Sequence, residues 1–336
     1  MTGLAAPERC ARLAAQLERT LDRLVPRDRP ALLVGSGITN VGDAAIAVAT
    51  HRYLAARGTP VLDMDRRTYD AAVARRFLGA DGTLLLAGGG TFGDVWPSQA
   101  ALRARALADL AEVRAVQLPQ TVHYTTPAAL DAAAPVFRGA RRLTLLLRDH
   151  ESVAHVRARW GLEAILAPDL AFLLRDLPAA PPTQDVLWLL RTDQESVRTR
   201  RGRVIEPPPV STAVDWPAPR AGARRTRRWL AKSLGVLGGD APRRRAAIAR
   251  RDHAEEQDRL ATGLALIGSA RVVATDRLHA SIFALLLGRP VVVMPDRHGK
   301  LRSFHHTWTA DVPDVTWCET YDEGRAAVAA RRAASG

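Results

Sequence analysis

The sequence predicts an α/β protein with parallel sheets, built as two doubly wound units on either side of a linker. Three observations predict it. Short apolar runs of strand length, at residues 31–34, 83–87, 143–147, 186–190 and 291–294, alternate with helix-length segments along the chain. Glycine-rich or polar turns follow those runs at their carboxyl ends, where parallel sheets bind ligands. A proline-rich break, LPAAPPTQ, then divides the alternation in two. The expected units are 1–178 and 186–320, joined by a linker at 179–185, with a closing helix at 321–336.

Taken in order, leucines at Leu13, Leu17, Leu21 and Leu24 have helical spacing and predict an amphipathic helix over 8–25, stopped by Pro26 and Pro30. After the strand at 31–34, Gly35, Gly37 and Gly42 surround Asn40 and Asp43, and a helix is expected from about Asp43. Backbone N–H groups in such a turn can meet an anion, although the same glycines also serve close helix–strand packing. A strand at 60–64 and a helix at 70–78 precede the strand at 83–87, which runs into AGGGTFGDVWP. Three successive glycines cost backbone entropy and bury nothing, so a loop approached closely by a ligand is expected at Gly89, Gly90 and Asp94. A helix at 99–110 leads to a strand at 114–118, with Gln120 and His123 just past its end. After the strand at 143–147, RDHES opens a helix whose Asp149 and Glu151 suit the dipole. Arg148 is a cation where the dipole offers it nothing. A short strand is expected at 164–167.

Beyond the linker, the strand at 186–190 ends in RTDQE, which contains Arg191. Residues 203–245 are rich in proline, glycine and arginine and read as a basic insertion, with a short helix at 227–237 whose Trp229 and basic face can touch anionic lipid. Regular helix resumes at 252–268. A strand at 272–274 then empties into Thr275, Asp276, Arg277, Leu278 and His279 at the start of a helix that stops at Gly288 and Pro290. The strand at 291–294 empties into a polar loop with Asp296, Lys300, Arg302 and Ser303. Both polar clusters fall on one sheet edge.

Composition narrows the classes. The chain has 336 residues, is 47% hydrophobic and carries a formal charge of +13, nearly all of it arginine. That favours anionic partners: phosphorylated small molecules, an anionic membrane surface or nucleic acid. Its two cysteines, Cys10 and Cys318, show no metal-ligand spacing and fit a reducing cytoplasm. No signal peptide is expected, no membrane-spanning run, zinc spacing, G-x-S-x-G elbow or Walker loop is found, and no metal or cofactor is expected.

Taken together, NVGDAAI, AGGGTFGDVWP, QLPQTVHY, LRDHES, APDLAF, LLRTDQE and TDRLHASIFALLLGRPVVV followed by HGKLRSFHHTWT resemble the polysaccharide pyruvyl transferase family, in the family's order. The resemblance implies a GT-B-like fold, two Rossmann-type domains facing across a cleft. It also implies transfer of pyruvate from phosphoenolpyruvate to a sugar as a cyclic ketal, in cell-surface polysaccharide assembly. Thr91, Ser98, Gln99, Ala280 and Ser281 stand where the family more often has asparagine, a histidine–glutamine pair, glycine and histidine.

Phosphoenolpyruvate carries a phosphate and a carboxylate, each suited to arginine. Arg277, Leu278, Arg191, Lys300, Arg302 and Ser303 are the expected donor-binding residues. His279 is the candidate acid–base group, with Asp276 either orienting it or capping its helix. Asn40, Gly42, Asp43, Gly89, Gly90, Asp94, Gln120, His123 and Arg148 are expected to face the acceptor or the cleft. The resemblance implies a sugar or lipid-linked oligosaccharide as acceptor, and with it an expected cytoplasmic location that allows peripheral contact at the inner face of the plasma membrane. A nucleotide-sugar glycosyltransferase of the same architecture is the alternative enzyme. A nucleic-acid-binding role is disfavoured, because the basic segment lacks interleaved aromatics and any recognition motif.

Overall fold

The computed structural model describes residues 4–35, 40–175, 177, 180–193, 195–200, 203–204, 210–217 and 241–334. Gly37 of the first glycine-rich turn, Trp229 and the helix expected at 227–237 lie outside the described residues.

The first sheet contains β1 (Ala31–Val34), β2 (Val61–Met64), β3 (Thr83–Leu86), β4 (Gly89–Gly93), β5 (Arg114–His123), β6 (Leu143–Leu147) and β7 (Ala164–Leu166). Its order is β2-β1-β3-β5-β6-β7, with β4 pairing the far end of β5, and the pairings are parallel. ALLV in β1 and TLLL in β3 are buried along their whole length, as strands covered on both faces must be. The helices are α1 (Ala6–Leu24), α2 (Val41–Ala55), α3 (Ala71–Leu78), α4 (Pro97–Asp109), α5 (Pro127–Gly139) and α6 (His150–His155).

Two expectations fail in this sheet. The strand expected to end at 118 continues to His123, so Gln120 and His123 lie within it. Its ladder to β6 shifts register between Gln117 and Gln120, around Pro119, which has no N–H to donate. The triple-glycine segment is not a loop but strand β4, and glycine is what permits it. At Gly93, with φ +156°, a Cβ would stand 1.5 Å from the His123 carbonyl oxygen, so no other residue can pair there.

The second sheet contains β8 (Gln184–Leu189), β11 (Ala270–Thr275), β12 (Val291–Val293) and β13 (Val315–Trp317) in the order β13-β12-β11-β8, again parallel throughout. A small antiparallel hairpin, β9 (Thr199–Arg200) and β10 (Arg203–Val204), lies between β8 and β11 in the chain. The helices are α7 (Ala241–Gly268), α8 (Leu278–Leu286), α9 (Lys300–Trp308) and α10 (Tyr321–Ala334). The expected polar loop after β12 turns out to be brief. Helix α9 begins at Lys300, and its Leu301, Phe304 and Trp308 are buried at the i, i+3 and i+7 spacing of a core-facing stripe. No helix among the described residues is long and apolar enough to cross a membrane.

The two sheets share apolar packing. Leu17 and Leu21 of α1 pack with Leu33, Leu85, Val116 and Leu146 of the first sheet. Cys10, Leu13 and Ala14, one or two turns earlier, belong to a cluster with Leu187, Leu189, Val273 and Phe283 of the second half. Helix α2 likewise contributes Val41, Ala45 and Val48 to the latter cluster and Ile46 and Leu54 to the former. Each fully buried leucine contributes roughly 1.5–3 kcal/mol, and α1 and α2 distribute that stabilisation between the sheets.

Candidate active site

In the first sheet the strand order reverses between β1 and β3, the position at which open α/β sheets bind ligands. A pocket of about 580 Å³ opens there. It is lined by Gly35 and Ala87 beyond β1 and β3, by Arg148 beyond β6, and by Arg191 and Arg277 beyond β8 and β11. Strand ends of both sheets thus meet at one cavity.

His279 stands on the first turn of α8, and its Nε2 lies 3.5 Å from Asp169 Oδ1. That nitrogen is buried and has no hydrogen-bond partner among the described residues. Asp169 is fully buried. It caps the following turn through Ala171 N–H at 2.9 Å and accepts from Arg148 Nη1 at 2.5 Å. Burial by itself would raise the Asp169 carboxyl, but the charges of His279 and Arg148 outweigh it and hold the group well below the usual carboxylate range. The other side of the imidazole rests on Gly42, where a Cβ would stand 2.2 Å from Nδ1 and 2.6 Å from Cγ. The turn that carries Gly42 is fixed by Asn40, whose Oδ1 accepts from Gly42 N at 2.7 Å and Asp43 N at 3.1 Å. Asp43 Oδ2 in turn accepts from Asn40 N at 3.2 Å. This capping box starts α2 at Val41, two residues before the expected Asp43.

Asp276 does neither thing expected of it. Helix α8 has no side-chain cap, and Asp276 accepts instead from Arg191 N at 2.7 Å and Tyr321 Oη at 2.8 Å. Burial raises its carboxyl despite those bonds. Its place is behind the sheet edge, tying β8 to α10, because adjacent residues at a strand end point to opposite faces.

Of the four expected donor cations, Arg191, Arg277 and Lys300 are present in the pocket wall, and each is already paired. Arg277 grips Asp215 with Nε at 2.5 Å and Nη2 at 2.7 Å, and reaches Asp193 at 3.2 Å. Arg191 bonds Asp193 at 2.9 and 3.0 Å and Glu195 at 2.7 Å. Lys300 Nζ bonds Glu195 at 3.0 Å and the Gly90 carbonyl at 3.3 Å. Burial would raise Asp193 and Glu195, but the adjoining cations lower both. Asp193, Glu195, Asp215 and Asp169 were not singled out in the sequence. RTDQE and APDLAF contain three of them, whereas Asp215 lies in a stretch with no pattern to flag it.

Above Gly90, Lys300 converges with Arg148. A Cβ there would lie 3.3 Å from Arg148 Nη2 and 3.8 Å from Lys300 Nζ. The missing side chain leaves a spot that an anionic oxygen can occupy between two charges. Arg148 is 2% exposed and is held by Thr121 Oγ1 at 2.9 Å as well as by Asp169, so it is a fixed donor.

The remaining expected residues divide. Asn40, Asp43, Gly90 and Leu278 line the pocket, and Gly42 backs it. Gln120 is buried and bonds Thr91 N at 3.0 Å and the Ala87 carbonyl at 2.8 Å, which pins the glycine strand with Gly89 at its start. Asp94 accepts from Thr125 N at 2.9 Å and Oγ1 at 2.5 Å, closing the end of β4. Arg302 faces away on the exposed side of α9 and pairs with Glu319, since its neighbours Leu301 and Phe304 take the buried face. His123 and Ser303 line a second pocket of about 330 Å³, which Lys300 also borders. There the His123 ring lies 4.2 Å from that of His298, and burial lowers both imidazoles, reinforced by the charges of His298 and Lys300 at His123 and by that of Lys300 at His298. Ser303 Oγ bonds Asp149 at 3.1 Å.

Comparison with known proteins adds the chemistry. The profile of the family described as polysaccharide pyruvyl transferase matches residues 40–297, from the cap of α2 to just short of Lys300. The chain is 29% identical over 288 residues to Pyruvyl transferase 1 of Schizosaccharomyces pombe, covering 80% of this chain and 67% of that protein. It is 22% identical over 311 residues to General stress protein 30 of Bacillus subtilis, covering 90% and 84%. A crystal structure of a functionally uncharacterised Klebsiella pneumoniae protein superposes with a TM-score of 0.60 at 14% identity, over 92% of this chain and 99% of that one, a likeness of fold.

Proposed function

The chain belongs to the polysaccharide pyruvyl transferase family, and from that premise we propose that it moves the pyruvyl group of phosphoenolpyruvate onto a saccharide of a cell-surface polysaccharide or its lipid-linked precursor. Two hydroxyls of the acceptor close a cyclic ketal and phosphate leaves. In this reading the architecture is GT-B-like, and the donor anion sits where the two halves meet, between Gly90 and Arg148 at the edge of the first sheet and Lys300 of the second half. The observation that carries it is the placement of His279, held between Asp169 and Gly42, beside the Arg148–Lys300 convergence over Gly90.

The geometry supports the following roles. Arg148 and Lys300 receive a phosphate or carboxylate oxygen over Gly90, with no side chain there to exclude it. Arg148, expected to face the acceptor or the cleft, joins the donor set. Arg191 and Arg277 hold Asp193, Glu195 and Asp215 as an ordered rim of alternating charge, whose carboxylates can accept bonds from sugar hydroxyls. His279 delivers a proton to the methylene carbon of the enol while a hydroxyl oxygen attacks the adjacent carbon. The C–O bond to phosphate then breaks as the second hydroxyl closes the ring. Of the two hydroxyl protons, one replaces the proton given to the methyl group and the other leaves with phosphate. Asp169 is a positioning residue that fixes the imidazole and balances its charge. The acceptor, if lipid-linked, brings the reaction to the inner membrane face, where the chain's +13 charge favours anionic lipid.

The test is direct. Purified protein is given phosphoenolpyruvate with a panel of saccharide acceptors, and phosphate release and product mass are followed. The expected product is heavier by one pyruvyl ketal. His279→Ala is expected to abolish release while melting as a folded protein. Wild-type turnover in that variant would remove His279 from the chemistry, and a product of glycosyl mass would refute the reading.

A further inference from the structure

Where α2 packs against α7, outside the residues that line the pocket, three ligand-type side chains from distant parts of the chain come together. His51 on α2 and His253 and Glu256 on α7 place one ligand atom each within 4.8 Å of one another. Glu256 Oε2 lies 3.7 Å from His51 Nδ1 and 3.5 Å from His253 Nδ1. The two rings meet edge-on, with centroids 5.2 Å apart. Tetrahedral zinc ligands about 2.0–2.1 Å from the ion stand a little over 3 Å apart, so these atoms are within a small side-chain adjustment of that geometry.

Two further observations point to a cation here. Glu256 is 3% exposed, yet its Oε2 has no hydrogen-bond partner, and neither has the buried His51 Nδ1. Both unpartnered atoms face the same spot, where a buried carboxylate and an imidazole lone pair left unmade are costly. The opposite nitrogen of His51, Nε2, bonds Asp63 Oδ1 at 2.9 Å. A ligating histidine that donates its second N–H to a carboxylate is the usual support of a metal centre, because it fixes both tautomer and ring direction. Charge agrees as well. Among the described residues Arg67 pairs Asp252 and Arg259 pairs Glu255, while Asp63 and Glu256 have only histidine partners.

We propose that His51, His253 and Glu256 form a structural site for a divalent transition metal of the zinc class, with Asp63 as the second partner of His51. Two imidazoles and one carboxylate suit that class rather than magnesium or calcium, which prefer all-oxygen sets. The ion clamps α2 to α7. His51 adjoins Thr50, and Glu256 precedes Arg259 by one turn; Thr50 and Arg259 both line the pocket. The clamp therefore stiffens the pocket wall without touching substrate.

The test uses full-length protein stripped with chelator and titrated with Co2+ and Zn2+. One equivalent of Co2+ is expected to give the intense visible absorption of a tetrahedral site, bleached by one equivalent of Zn2+, and Zn2+ is expected to raise the melting temperature where Mg2+ and Ca2+ do not. His253→Ala, at a half-exposed position, is expected to melt like the metal-free wild type and to lose both the spectrum and the shift. Asp63→Asn is expected to weaken binding by about 10–100-fold. Absence of a spectrum and of a shift in the wild type would overturn the proposal. So would equal binding by wild type and the His253→Ala and Glu256→Gln variants, which would put the ion elsewhere.

Discussion

Replacing Gly42 with alanine isolates the contact that sets the orientation of His279. A Cβ at Gly42 would stand 2.2 Å from His279 Nδ1 and 2.6 Å from Cγ. Cγ is close to the root of the side chain, so rotation cannot relieve the clash while Nε2 stays near Asp169. Overpacking of this kind costs about 1–3 kcal/mol. Against it, alanine in a helix is favoured over glycine by up to about 1 kcal/mol. With the imidazole removed the clash vanishes and only that propensity remains, while the neighbouring contact to Asn40 Oδ1 at 3.0 Å is common to both backgrounds and cancels. Gly42→Ala should therefore destabilise the wild type yet be neutral or stabilising in a His279→Ala background, a coupling of about 1–3 kcal/mol. Denaturant melts of the four proteins measure it. If the imidazole is driven off its position, phosphate release should also fall by about 10²–10⁴, the usual weight of a positioned acid–base group. Equal stability changes in the two backgrounds, or full turnover in Gly42→Ala, would refute the packing argument.

Other expectations follow from single contacts. Asp169→Asn breaks a buried pair with Arg148 and is expected to cost about 3–5 kcal/mol at neutral pH. Because the folded carboxyl lies below its ordinary value of 3.8, its contribution is complete above that pH and is lost as pH falls further. Stability of the variant, followed by denaturant melts across that range, should therefore fall less steeply with acid than that of the wild type. Gly263→Ala on α7 would place a Cβ 2.2 Å from Val41 Cγ1, so it should lower the melting temperature despite the better helix former, and Val41→Ala should restore it. Both cysteines are buried and free, with burial pushing Cys10 up to about 12 and Cys318 upward. Neither should react with a thiol reagent near neutrality until denaturant is added, and rapid labelling of the native protein would contradict that.

Much of the fold was legible because its cause is local. ALLV, TLLL, LTLLL and VVV are strand-length apolar runs, and the leucine stripe of α1 repeats at helical spacing. Helix α5 gave no such signal, being alanine-rich with Pro135 inside it. Helix α9 was hidden by LRSFHHTW, in which the buried stripe is interrupted by arginine and histidines. The glycine strand β4 was misread as a loop, since what makes it a strand is the His123 carbonyl on β5.

For the site, the sequence by itself determined that Arg277, His279, Arg191 and Lys300 stand at strand ends of a parallel sheet, because chain order and apolar periodicity fix where strands stop. It also carried the motifs by which the family is identified. Only the tertiary structure decided what those side chains meet. Asp169 rather than Asp276 faces His279, although Asp276 is three residues away and Asp169 belongs to the other sheet's edge. Arg302 turns outward while Lys300 turns in, because Leu301 and Phe304 claim the core. His51 meets His253 and Glu256 only because α2 lies against α7. Charge pairing and packing act through space at a few ångströms, and the order of residues along the chain does not specify which distant groups come within that reach.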